Sequence, residues 1–262
     1  MDILSNEKIE QGLKAVIKDG VTSQAMITLS SGVFLTAFAL ALGASNTVIG
    51  LLAAIPFLAQ LLQVPVIYLV EKVRDRKFIT LCSATSSRFM LPLIALIPVF
   101  FIGQLAVKVL IVGLTLHSLL GAVGNCSWNS WMRDLIPEKR LGELFSKRLA
   151  WAIGLSVILS LGAGFLIERS RLLFPGQEIL AYSFLFFTAF ACGMLGLYFI
   201  SLIPEPKMKV LDINFKTILV RPWLDLNFRN LIIFLGIWNF SINLVIPFFT
   251  VYLLNSLKLN ML

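Results

Sequence analysis

Long apolar runs alternate with short polar connections along the chain. Seven such runs lie near residues 22–43, 47–69, 78–101, 104–131, 148–167, 179–203 and 229–254. Each run reaches the length of about 20 residues that an α-helix needs to cross the hydrocarbon core of a bilayer. None of them alternates apolar with polar residues, which is the pattern of a membrane β-barrel strand. The pattern therefore predicts an all-α, polytopic membrane helix bundle with seven spans.

Residues 1–20 precede the first run and are polar and mixed in charge. They contain no apolar stretch of the kind found in a cleavable signal peptide, so we expect the first span to act as an uncleaved insertion signal. The spacing of Ile9, Leu13, Val16 and Ile17 favours a short amphipathic helix, which we expect to lie outside the first span.

Composition agrees with a membrane location. Hydrophobic residues make up 58% of the 262 residues, whereas charged residues make up only 14%. Soluble domains usually carry about 25% charged residues. A chain with so little charge is therefore expected to have a lipid bilayer, and not water, as its main surroundings.

Basic residues are distributed unevenly between the connections. Seventeen of them lie before the first run and in every second connection after it, and only four lie in the remaining connections and after the last run. The positive-inside rule then predicts a cytoplasmic N-terminus and, after seven crossings, a C-terminus outside. This distribution also accounts for the net charge of +8 without a nucleic-acid partner.

The sequence offers no pattern for enzyme, metal or cofactor chemistry. Cys82, Cys126 and Cys192 each sit within an apolar run, at spacings that fit neither a metal site nor a disulfide framework. A phosphate-binding Gly-Lys-Ser/Thr loop is absent, so ATP is not the expected driver. We therefore expect no cofactor and no enzymatic activity.

The connection after the sixth run divides the chain. Residues 204–228 contain three prolines and four basic residues, which predicts a cytoplasmic linker between a six-span domain at 21–203 and residues 229–262. The seventh run closes like the first, with an aliphatic stretch and a small polar turn, which suits an internal duplication of six-helix halves. We therefore expect residues 229–262 to be the seventh span and the start of an incomplete second domain.

Three segments resemble motifs of the major facilitator superfamily of transporters. Residues 69–78, Leu-Val-Glu-Lys-Val-Arg-Asp-Arg-Lys-Phe, occupy the place of the family's Gly-x-Leu-Ala-Asp-Arg-x-Gly-Arg-Lys loop. Residues 117–124, His-Ser-Leu-Leu-Gly-Ala-Val-Gly, are similar to Arg-x-x-x-Gly-x-x-Gly of span four. Residues 128–148 contain Asp-Leu-Ile-Pro-Glu and Arg-x-Gly-x-x-Phe, which recur between spans four and five in a bacterial group of these transporters.

The resemblance implies transport of a small solute across a bacterial inner membrane by alternating access of two six-helix units. Three alternatives remain open at this point. The chain is a truncated part of a full-length transporter, a half-size transporter that needs a complementary half, or a non-transporting membrane protein that reuses the fold. The sequence does not identify the solute or a coupling ion.

Polar side chains inside the spans are the candidates for contact with the solute. They form helical stripes on spans one, four and seven, and the candidates are Gln24, Thr28, Ser31, His117, Asn125, Trp128, Asn129, Asn239 and Asn243. Amides suit hydrogen bonding to a neutral solute, and they suit contacts between helices almost as well. His117 is the sole histidine, so it is either a proton relay or a neutral group bonded to a neighbouring helix.

Charged residues fall into two further groups. Arg88 lies deep within span three, where we expect a structural role because the spans offer almost no acidic partner. The connections on the basic side provide candidates for a conformational gate, namely Glu71, Arg76, Lys77, Asp134, Arg140 and Arg148. Ion pairs between these residues are expected to latch one conformation, although basic connections also follow from topology alone.

Overall fold

The computed structural model describes residues 6–208, 220 and 223–255. Helices dominate this part of the chain, and no strand occurs in it. The helices are α1 (Asn6–Ser30), α2 (Gly32–Ala41), α3 (Asn46–Gln60), α4 (Gln63–Val73), α5 (Arg76–Ala95), α6 (Ile97–Phe100), α7 (Gln104–Leu135), α8 (Glu138–Leu173), α9 (Glu178–Ser201) and α10 (Leu226–Asn255).

Seven candidate spans follow from these helices, which confirms the predicted all-α bundle with seven membrane-spanning segments. Span 1 consists of α1 and α2, span 2 of α3 and α4, and spans 3 to 6 of α5, α7, α8 and α9. Span 7 is the part of α10 from Leu226 to Ile246. The multi-pass membrane character of the chain rests on the length and apolar composition of these helices.

The first span begins earlier than predicted. Helix α1 runs without interruption from Asn6 into the first apolar run, so residues 6–20 are not a separate surface helix. Leu13 and Val16 are the reason, because they are 2% and 0% exposed and pack beside Leu197 and Ile200. The amphipathic face was correctly identified, but it contacts the bundle itself.

The connection between spans 4 and 5 is also shorter than predicted. Helix α7 continues to Leu135 and α8 starts at Glu138, so most of residues 132–147 are helical. Pro137 explains the break, since a proline disfavours the helical conformation of the residue before it. Ile136 accordingly has extended backbone angles of φ −91° and ψ 122°.

Span 1 contains a break where α1 meets α2. Ser31 is extended, and Gly32 has a positive φ of 57° that an L side chain rarely adopts. The hydroxyls of Ser30 and Ser31 donate to the carbonyls of Met26 and Ile27, each at 2.7 Å. Carbonyls near the end of α1 therefore keep a partner within the span, as an apolar environment requires.

Two interfaces organise the six-helix part of the bundle. Span 1 packs along spans 5 and 6, whereas span 4 packs along spans 2 and 3. Spans 3 and 6 also pack against each other and join the two groups. A buried core between them includes Phe38 and Phe186, whose ring centroids are 5.1 Å apart.

One end of the bundle, where α1, α5 and α8 begin and α7 and α9 end, is called the basic end below. It contains a second buried core that includes Val16, Trp131 and Ile203. Helix α10 lies apart from this core and contacts α2 and α3. Most of the described apolar side chains of α10 are exposed in the chain as described, including Phe234 and Trp238.

Close contact between Gly12 and Pro204 at the basic end generates a stability prediction. A Cβ at position 12 would lie 2.6 Å from Cδ of the rigid Pro204 ring. We expect Gly12→Ala to lower the free energy of unfolding by about 1–3 kcal/mol through overpacking. Thermal unfolding of the purified protein in detergent measures the effect.

The matched control is Gly142→Ala in α8, where a Cβ would meet nothing within 4 Å. Alanine is the better helix former, so this change should raise stability by up to about 1 kcal/mol. Equal melting temperatures for the two variants would contradict the role of the Gly12 contact.

Candidate functional site

A buried arginine organises the basic end. The side chain of Arg76, at the start of α5, is 0% exposed. Its Nη1 atom donates to Asp134 Oδ2 at 2.5 Å and to the carbonyl of Ser130 at 3.1 Å. Its Nη2 atom donates to the carbonyl of Pro206 at 2.9 Å. One guanidinium therefore connects the start of span 3, the end of span 4 and the segment after span 6.

Glu205 completes this arrangement. Its carboxylate accepts from the backbone N–H groups of Arg76 and Lys77 at 2.8 and 3.2 Å, and Arg76 Nε lies 3.4 Å away. These N–H groups belong to the first turn of α5, where a helix has no carbonyl partners of its own. A carboxylate at this position also interacts favourably with the helix dipole.

Three further side chains at the basic end bond to backbone groups. Lys77 Nζ donates to the Ile203 carbonyl at 2.9 Å, and Trp131 Nε1 donates to the Pro204 carbonyl at 3.0 Å. Ser127 Oγ donates to the Arg76 carbonyl at 2.9 Å. Arg76, Lys77, Asp134 and Glu205 are called the Arg76 cluster below.

Three of the six residues predicted for the gate thus come together, namely Arg76, Lys77 and Asp134. The other three lie elsewhere. Glu71 forms no ion pair with a described residue, and its carbonyl accepts from Arg74 Nε at 3.2 Å. Arg140 pairs with Glu10 on α1, and Arg148 faces Asp19 on α1. The residues from α8 therefore contact span 1, because α8 already begins at Glu138 and directs them there.

Arg88 has a partner that the sequence analysis did not identify. Its Nη1 atom donates to the Gly193 carbonyl at 2.6 Å, and its Nη2 atom donates to Ser23 Oγ at 3.2 Å. Ser23 in turn donates to Asp19 Oδ1 at 2.9 Å. Asp19 is only 3% exposed, so an acidic partner does lie within the bundle, on the segment that was expected to precede span 1.

His117 forms a reciprocal pair of hydrogen bonds between spans 3 and 4. Its Nδ1 lies 2.8 Å from the Ser87 carbonyl, which can only accept, so Nδ1 carries a proton. Ser87 Oγ donates to the His117 carbonyl at 2.8 Å. Nearby, Gly124 allows the two helices to approach, since a Cβ at this position would lie 2.9 Å from Ser83 Oγ. These contacts support the interpretation of His117 as a bond between helices.

The polar residues predicted on span 1 have different environments. Thr28 Oγ1 donates to Ser156 Oγ on α8 at 2.9 Å, so this hydroxyl joins spans 1 and 5. Ser31 lies at the break between α1 and α2 and bonds back to α1. Gln24 is half-buried, and its amide has no hydrogen bond to another described residue.

The amides on spans 4 and 7 are exposed or half-buried. Asn125 and Asn129 are exposed on α7 and have no hydrogen bond within the described ranges. They flank Trp128, which contacts Phe145 and Arg148 on α8. Asn239 and Asn243 donate to carbonyls of their own helix, Leu235 at 2.7 Å and Asn239 at 2.8 Å.

Comparison with known proteins adds no identification. No family model, no curated protein and no solved structure matches the chain. Within the residues that the structure describes, no group of three histidine, cysteine, aspartate or glutamate residues is placed to hold a metal ion. The candidate sites are therefore described by their own geometry, as the Arg76 cluster at the basic end and the unpaired amides and charged groups along spans 1, 4 and 5.

The Arg76 cluster generates the second prediction. Arg76→Ala removes the hydrogen bonds of a buried guanidinium to Asp134 and Glu205, whose side chains are 41% and 19% exposed, and one hydrogen bond to a charged group contributes about 1.5–3 kcal/mol. We expect a correspondingly large fall in the melting temperature of the purified protein. Binding of the segment after span 6 should loosen as well, which protease digestion between Ile203 and Met208 would detect.

Arg140→Gln is the control for this experiment. Arg140 and its partner Glu10 lie at the same end of the bundle, but their side chains are 44% and 50% exposed. Exposed ion pairs contribute little to stability, so the melting temperature should stay close to that of the wild type. Similar losses in both variants would show that burial of Arg76 is not what stabilises this end.

Proposed function

We propose that the chain is a transporter of the major facilitator type, which carries a small solute across a membrane by alternating access. The observation that carries this proposal is the repeated packing of the six-helix part. Span 1 packs on spans 5 and 6, and span 4 packs on spans 2 and 3. The contacts of span 1 with spans 5 and 6 therefore correspond to the contacts of span 4 with spans 2 and 3, as in two equivalent three-helix repeats.

Spans 3 and 6 hold the same place in the two repeats, and they contact each other. Spans 1 and 4 start from opposite ends of the bundle, so the repeat is inverted. Inverted repeats of three helices nested within six-helix halves are a feature of major facilitator transporters. The arrangement therefore supports the proposal independently of the sequence motifs.

Unpaired amides on span 4 support contact with a solute. Asn125 and Asn129 are exposed and lack hydrogen bonds to described residues, so their donors and acceptors are available. Gln24 on span 1 is available in the same way. We propose that these groups line one side of the solute pathway, and that a second helical unit, from a partner or complementary half, lines the other.

Orientation is part of this proposal. We propose that the basic end faces the cytoplasm of a bacterial inner membrane, because basic residues concentrate there. A cysteine introduced at Gly142 should then be protected from a membrane-impermeant maleimide in intact cells, whereas one at Gln177 should be labelled. Gly142 and Gln177 are exposed, and Cys82, Cys126 and Cys192 are replaced beforehand to remove background labelling. Labelling at Gly142 alone would reverse the orientation.

Transport itself is tested by uptake into proteoliposomes. We expect the chain, reconstituted alone or with a partner that copurifies with it, to accumulate at least one solute from a chemically varied panel. Asn125→Leu/Asn129→Leu should lower that uptake about fivefold or more if both amides bond the solute, because each lost hydrogen bond costs about 0.5–1.5 kcal/mol.

Gln60→Leu is the matched control, because its exposed amide already bonds to the Pro56 carbonyl of its own helix. Unchanged uptake in the double variant with an unchanged melting temperature would exclude the span 4 amides. Absence of uptake under both reconstitution conditions, with and without a pH gradient, would favour a non-transporting membrane protein with this fold.

A further inference from the structure

The side chains of Arg148 and Trp128 meet between spans 4 and 5. The Cζ atom of Arg148 lies 5.0 Å from the centroid of the Trp128 ring, which is the geometry of a cation–π contact. Phe145 packs edge-on against the same ring, with centroids 6.3 Å apart. The Arg148 stem also lies against Gly20 of α1, where a Cβ would come within 2.4 Å of Arg148 Cγ. These contacts fix the position of the guanidinium.

Both side chains have hydrogen-bond donors without acceptors. Arg148 Nε and Trp128 Nε1 are buried, and neither has a hydrogen-bond partner among the described residues. A guanidinium carries five N–H donors, yet none from Arg148 forms a hydrogen bond to a described residue. Leaving buried donors unpaired is unfavourable, so this position favours the binding of a hydrogen-bond acceptor.

Asp19 does not fill that role. Its Oδ2 lies 3.8 Å from Arg148 Nη2, beyond the usual distance of about 2.7–2.9 Å for a charge-assisted hydrogen bond. Its Oδ1 accepts from Ser23, which also accepts from Arg88. Two guanidiniums therefore share one carboxylate, and the group formed by Asp19, Arg88 and Arg148 carries one excess positive charge.

This excess charge can be reached from outside the bundle. The side chain of Arg148 is 27% exposed, although Asp19 and Arg88 are almost fully buried. Asn125 and Asn129 lie on the same part of α7 as Trp128 and are exposed without partners in the described ranges. Uncompensated positive charge thus lies beside an accessible surface, and the unpaired Arg148 Nε and Trp128 Nε1 donors are buried next to it.

We propose that Arg148 and the indole N–H of Trp128 bind an oxyanion group, either a carboxylate or a phosphate. Arginine matches such groups because its N–H donors form parallel bonds to two oxygens. If the oxyanion is part of a transported solute, the inference rests on the proposed function. If it is the headgroup of an anionic lipid, the inference does not depend on transport. Either source supplies a hydrogen-bond acceptor and a negative charge.

Ligand-dependent thermal unfolding of the purified full chain tests the site, because a ligand that binds the folded state raises its stability with concentration. Inorganic phosphate and acetate serve as free oxyanions, with chloride at matched ionic strength as their control. Phosphatidylglycerol serves as the anionic lipid, with phosphatidylcholine as its control. We expect a saturable rise in melting temperature beyond the control in at least one arm, and the responding arm identifies the source.

Variants then assign the response to these residues. Arg148→Gln should abolish the saturable rise, and Trp128→Phe, which keeps a ring but removes the N–H, should weaken apparent affinity about tenfold. Arg140→Gln should leave the response unchanged, because Arg140 is held by Glu10 at the same end of the bundle. Asp19→Asn/Arg148→Gln removes both charges together and keeps the test valid if Arg148→Gln alone does not fold.

The outcomes separate this inference from the proposed function. Responses in wild type that never exceed those to chloride and phosphatidylcholine would overturn the site, as would wild-type responses in both Arg148→Gln and Trp128→Phe. A saturable response without uptake of any solute would retain the site and reject transport. If the wild type shows no saturable response and its uptake is unaffected by Arg148→Gln, transport is retained and the site is rejected.

Discussion

A polar group that enters the apolar part of this bundle is stabilised when it finds a partner within the protein, because lipid offers none. Arg88 shows how this constraint shapes the fold. Its guanidinium bonds to a carbonyl of span 6 and to a hydroxyl of span 1, and that hydroxyl bonds to Asp19. One charged side chain of span 3 therefore links spans 1, 3 and 6 through hydrogen bonds. The packing of these three spans brings the bonded groups together.

Small residues make these internal bonds possible. A Cβ at Gly193 would lie 2.8 Å from Met26 Sδ and 3.1 Å from Arg88 Cδ, and one at Gly196 would lie 2.9 Å from Thr22 Oγ1. Glycine thus leaves room for neighbouring side chains where α9 packs against the polar part of α1. Glycine at helix interfaces allows close approach, and close approach brings hydroxyls and carbonyls within bonding distance. Gly124 of α7 acts in the same way opposite Ser83.

The length and composition of the apolar runs were sufficient to predict the seven spans, because lipid imposes a minimum length on each run. Partners were harder to predict. Asp19 was assigned to a polar leading segment, since composition does not show that Leu13 and Val16 are buried against α9. Glu205 was assigned to a linker, although two flanking prolines favour a defined backbone there. It bonds to residues about 130 positions away in sequence, and local patterns carry no information about such contacts.

Span 5 is unusually long for a membrane helix. Its 36 residues extend about 54 Å, so about 24 Å lies outside a hydrocarbon core of about 30 Å. In a straight helix of this length, a small change of tilt moves the ends far more than the centre. A change of about 10° in its tilt about the centre would move its end by about 5 Å, more than a hydrogen bond tolerates. Arg140, near the start of α8, and Glu10, near the start of α1, would therefore separate after a rotation that moves the middle of α8 very little.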